Sequence, residues 1–235
     1  MTAAVSSPRN EPLLWLQLLG LGVLPAEALL LLLLLAGSDP GPLPALERVL
    51  CWAVGSLAPA LLLWRQPADV WSLLLVQVPL RGRTPIQRQL SNLQDTTLLR
   101  AGLVLGCTLS VPLLWWLDSQ AALASAFSPL AGSPRLIALL LTAAVLALML
   151  WQWQQLLQAL WLLSRTPAQT AAAVIMPLEQ TAQVRLVIGL PLLLIEPLRG
   201  AEAPPSAFDA GVRVPVDPEQ RPADQESPGL DQQIG

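Results

Sequence analysis

The chain contains no histidine, no lysine and no tyrosine, only two cysteines and two phenylalanines, and 12% charged residues in 235. Each shortage excludes something. Without His or Lys, most acid–base, nucleophilic and metal-binding constellations cannot be assembled, so no catalytic residue, no metal ligand set and no cofactor is expected. Two cysteines do not make the disulfide framework of a small secreted domain. Cys51 and Cys107 both sit in apolar runs and read as small buried hydrophobes. Charge at about half the usual density is the wrong composition for a nucleic-acid-binding domain. What is abundant is leucine, 57 residues within a 54% hydrophobic composition. That excludes disorder for the bulk of the chain and indicates an all-α integral membrane protein.

The net charge of −3 hides an asymmetry. Residues 200–235 carry seven acids and two arginines, whereas the rest of the chain has 11 arginines against nine acids. The last stretch also holds six prolines, four glycines and a single aromatic, Phe208. It cannot bury enough apolar surface to fold, and a disordered acidic C-terminal tail is expected. The body is mildly basic and is a separate object.

Four apolar runs punctuate the body. The first, residues 12–36, measures about 37 Å as one helix, enough to cross a ~30 Å hydrocarbon core. Pro12 suits its first turn, the cluster Gly37-Ser38-Asp39-Pro40-Gly41-Pro42 ends it, and Pro25 should kink it by freeing the carbonyl of Leu21. The run is too long for a signal-peptide core, and Ser38 stands where a lipoprotein box needs Cys, so an uncleaved first span is expected. The second run is 45–64 and the third 98–117, with Asp95 as its expected N-cap and Arg100 snorkelling to the interface. The fourth, 136–163, is longer than a bilayer needs, about 42 Å. Residues 177–198 contain only ten uncharged residues between Arg185 and Glu196, interrupted by Gly189 and Pro191, so an interfacial or shallow re-entrant segment is expected rather than a fifth span.

With four spans, nine of the 11 arginines before the tail fall on one side and only Arg48 and Arg135 on the other. The positive-inside rule then puts both termini in the cytoplasm, a short residue 1–11 segment at one end and the 164–199 segment with its tail at the other. The loop 65–97 becomes a basic cytoplasmic platform. Within it Thr84-Pro85-Ile86-Gln87 reads as a capping box, and Ile86, Leu90 and Leu93 line one face of a short interfacial helix. Arg65, Arg81, Arg83 and Arg88 are candidates to meet anionic headgroups. Thr166-Pro167-Ala168-Gln169 repeats the same capping chemistry after the fourth run.

Three further features could carry function. Glu27 is the one acid in the middle of a span, so it should be neutral or hydrogen-bonded, either structurally to the Leu21 carbonyl or as a proton or ion site. Gly102, Gly106 and Ser110 form a small-residue ridge at spacing four, suited to close helix packing within the chain or in a homodimer. Gln152, Gln154, Gln155 and Gln158 interleave with Trp151, Trp153 and Trp161, which reads as an interfacial belt, with a pigment or lipid headgroup as the alternative occupant.

The opening NEPLLWLQLLGLGVLPAEALLLLLLLAGSDPGPLPALE resembles the start of the cyanobacterial low-complexity tail membrane protein family. LLLWRQPADVWSLLLVQVPLRGRTPIQRQL and PLEQTAQVRLVIGL resemble later stretches of that family, and the Pro- and acid-rich end fits the family name. The resemblance implies a cyanobacterial protein of the plasma or thylakoid membrane and carries no activity with it. The expectation from residues and resemblance together is a multi-pass, non-enzymatic accessory or assembly protein. It would act through the lipid bilayer and a membrane-protein complex or homodimer, with no nucleic acid and no small-molecule substrate. The alternative is a small transporter or channel component centred on Glu27.

Overall fold

Four helices long and apolar enough to cross a membrane organise the chain: Pro12–Leu35, Pro44–Arg65, Thr97–Phe127 and Arg135–Leu163. The computed structural model describes residues 7–187 except 74–76, 80–81, 95, 176, 178–180 and 182. The acidic tail, Arg81, Asp95 and residues 188–198 therefore lie outside the described residues. Among those described there is no strand, only the isolated bridges Ala68–Leu186 and Ser72–Gln77. The fold class is mostly helical and multi-pass.

The first span is α1 (Pro12–Leu19), a tight 3-10 turn at Gly20–Gly22, and α2 (Val23–Leu35). The break sits one turn before Pro25, where the proline removes a backbone donor and two glycines permit the tightening. The second span is α3 (Pro44–Trp52), a π-helical turn at Ala53–Leu57, and α4 (Ala58–Arg65). Pro59 cannot bond the Gly55 carbonyl, and the wider turn absorbs that loss. A Cβ at Gly55 would lie 2.7 Å from the carbonyl oxygen of Ala143, so glycine is what lets the second and fourth spans approach here.

After α5 (Pro85–Asn92), the third span is α6 (Thr97–Gln120), prolonged by a 3-10 helix at Ala121–Phe127. Its N-cap is Thr96, whose hydroxyl accepts from the Leu99 N–H at 3.4 Å; this corrects the assignment to Asp95. The fourth span is α7 (Arg135–Leu163), followed by the short α8 (Pro167–Ala172). Thr84 and Thr166 both close full capping boxes with Gln87 and Gln169.

The fourth span is central: the other three all pack against it. Near the Gly37 end of the bundle, Leu31, Leu35, Cys51, Leu114, Leu117 and Leu146 form one apolar cluster. Leu13 and Leu14 at the opposite end join Val70, Trp71, Ile86, Leu90 and Leu162. The apolar face of α5 is thus covered by the chain itself. Only 28–33% of the most apolar stretch of each span is buried inside protein. Leu29, Leu61, Leu105 and Leu140 are each more than half exposed, which is the surface that meets hydrocarbon.

Candidate functional site

The densest polar construction lies where the first and fourth spans meet the segment from Pro67 to Ser72. Glutamine side chains grip the backbone of that segment. Gln155 Nε2 donates to the carbonyls of Asp69 at 3.1 Å and Ser72 at 2.9 Å, and Gln158 Nε2 donates to that of Ala68 at 2.7 Å. Gln17 Nε2 donates to the carbonyl of Val70, and Gln94 Oε1 accepts from the Val70 N–H at 3.3 Å. Trp71 donates its indole N–H to Ser91 Oγ at 3.0 Å and to the Gln87 carbonyl at 3.2 Å. Leu186 returns after the fourth span to bond Pro67 and Asp69, completing the latch. Gln154, Gln155 and Gln158 are each at most 3% exposed, so these three members of the expected interfacial belt turn into the protein, while Gln152, Trp153 and Trp161 are partly buried.

An ion pair sits inside the latch. Arg83 Nη2 meets Asp69 Oδ2, with both side chains essentially sealed from solvent. Burial pushes the Asp69 carboxyl upward, and the guanidinium groups of Arg83 and Arg185 oppose it. Arg185 also donates to the Ser91 carbonyl at 3.1 Å. Gln87 Nε2 donates to Glu11 Oε2 at 3.3 Å, tying α5 to the start of the first span. Arg83 is therefore not presented to a headgroup, contrary to expectation. Its counter-ion is Asp69, 14 positions back in an aperiodic loop. Arg65 is exposed at the end of α4 and Arg88 is partly buried on α5.

A second charged cluster closes the opposite end. Arg48 Nε reaches Asp118 Oδ2 at 2.6 Å, Arg135 Nη2 reaches Asp118 Oδ1 at 3.0 Å, and Arg135 Nε reaches Glu47 Oε2 at 3.0 Å. Two cations and two anions from three spans neutralise one another.

Between the two ends the small-residue ridge lies at helix contacts within the chain. A Cβ on Gly102 would meet Leu157, and one on Gly106 would meet Trp153, whose indole N–H donates to the Gly102 carbonyl at 2.9 Å. Ser110 donates to the Cys107 carbonyl at 2.7 Å and pairs with the Ser56 hydroxyl at 2.9 Å, and Trp52 shares its indole N–H between Ser110 and the Cys107 carbonyl. Glu27 is 6% exposed on α2 and its Oε2 has no hydrogen-bond partner among the described residues. The expected bond to the Leu21 carbonyl is not formed. No group of three His, Cys, Asp or Glu side chains among the described residues could hold a metal ion.

Sequence reasoning missed the latch, Asp69 and Asp118. The glutamines were visible as a cluster, but their partners are backbone carbonyls 83 to 90 positions away.

No curated protein and no solved structure matches the chain. Residues 10–197 match the low-complexity tail membrane protein-like family, which takes in all four spans and the returning segment but ends before the acidic tail. Since that match covers most of the sequence, the chain belongs to the low-complexity tail membrane protein-like family.

Proposed function

We propose that the protein is a non-enzymatic accessory or assembly component of its membrane. In this reading the latched end and both chain ends face the cytoplasm, and the protein works through contacts with lipid and with other membrane proteins. The observation that carries this is the use made of the polar side chains. Gln17, Gln94, Gln155 and Gln158 fasten the chain's own backbone. They hold α5 and the Pro67–Ser72 segment as a fixed platform. The arginine distribution supports the orientation. Extraction of the tagged full chain in gentle detergent, followed by mass spectrometry, tests it. A membrane-protein partner or second copy retained in fixed proportion is expected. A chain that purifies alone and conducts ions in vesicles contradicts it.

One observation favours a second reading. Glu27 keeps a buried carboxylate oxygen without a partner among the described residues, as a transporter or channel component would need. The two readings diverge on Glu27→Gln. The accessory reading expects wild-type abundance, stability within about 1 kcal/mol and no change in phenotype, since the amide preserves shape and polarity. Wild-type abundance with loss of a proton- or ion-dependent flux selects the second reading.

A further inference from the structure

We propose that the crevice between the first, third and fourth spans seats one acyl chain of a bilayer lipid. Leu24, Pro25 and Ala28 of α2, Gly106 and Leu109 of α6, and Trp153 of α7 line it, around a cavity of about 310 Å³. The rest of the lining is almost wholly apolar, with Leu113, Leu146, Met149 and Leu150 beside these residues.

Its chemistry selects hydrocarbon. The Ser110 hydroxyl is the polar side-chain group along the walls, and it is engaged by Ser56 and the Cys107 carbonyl. The Trp153 indole N–H is engaged by the Gly102 carbonyl. A polar ligand would leave its own groups unpaired there.

Depth and continuity identify the source. Trp153 lies ten residues, about 15 Å, from the Leu163 end of its helix, and Pro25 about 15 Å from the Leu35 end of its own, which puts the crevice within the hydrocarbon layer. Leu109 on its rim is 51% exposed, and Leu105 and Leu29 beside it face outward too. The crevice is thus continuous with the surface that already meets lipid, and an occupant enters sideways. A polymethylene chain brings no polar group that would need a partner there. This inference goes beyond the accessory reading and stands without it.

The full chain, reconstituted in dioleoyl phosphatidylcholine vesicles and re-extracted in mild detergent, is examined by native mass spectrometry. One retained lipid per chain is expected. Ala28→Phe and Leu109→Phe, each placing a ring in the crevice, should lower its occupancy at least tenfold. Leu29→Phe, on the outward face, should not. Leu109 is half exposed, so its variant keeps the fold even if Ala28→Phe does not, and thermal unfolding in the same detergent verifies this. Absence of a retained lipid, equal retention in wild type and Leu109→Phe, or a second copy of the chain in place of the lipid overturns the proposal.

Discussion

Arg83→Met is expected to destabilise the protein by about 3–5 kcal/mol, because it takes the ion-pair partner from a sealed carboxylate. Asp69 and Arg83 have side-chain exposures of 0% and 1%, so water cannot take over the lost partner. Adding Asp69→Leu should recover much of the loss, since an apolar pair of similar bulk carries no charge to desolvate. The single variant should also show a pH dependence of fixed sign. With Arg83 gone, burial raises the Asp69 carboxyl above its unfolded value of about 3.9 with less opposition. A group raised on folding contributes most below the unfolded pKa and loses that contribution as pH rises through the folded one. Denaturant titrations in detergent at several pH values should therefore find Arg83→Met least impaired in acid. Equal stability of the single and double variants, with no pH dependence, would remove the ion pair from the account.

The second large effect is expected at the other end. Asp118→Asn should cost several times more than Glu47→Gln, although both carboxylates bind Arg135. The Asp118 side chain is 1% exposed and serves two arginines, whereas Glu47 is 19% exposed and serves one. Removing the shared, buried anion leaves Arg48 and Arg135 facing each other, a penalty of about 3–5 kcal/mol on the usual scale for a broken buried pair. Removing the partly solvated one should cost no more than about 1 kcal/mol. The same titrations measure both, and equal costs would show that the cluster is a set of surface pairs.

The spans were legible because each is a long run in which apolar residues far outnumber charged ones, and both capping boxes were legible because Thr-Pro-x-Gln is a local signal. Pro25 announced a break but not its form. The tightening at Gly20–Gly22 and the π turn at Ala53–Leu57 depend on how the first and second spans seat against the fourth, as the contacts at Gly20 and Gly55 show. Arg83 and the glutamines misled for a related reason. A basic or amide side chain near a membrane surface has the same sequence signature whether it faces headgroups or turns inward to a partner. Only the return of Leu186 beside Ala68 encloses the segment these side chains bind.

Labelling of single cysteines in intact and permeabilised cells, with Cys51 and Cys107 replaced by alanine, tests the central claim most directly. That claim is a four-span bundle with its latched end in the cytoplasm. The exposed positions Asp39 and Ala131 flank one end of the bundle, and Asn92 and Ala168 flank the latched end. The account predicts that cysteines at 39 and 131 react with an impermeant reagent in intact cells, and that those at 92 and 168 react only after permeabilisation. Reaction at 39 and 92 from the same side would contradict it.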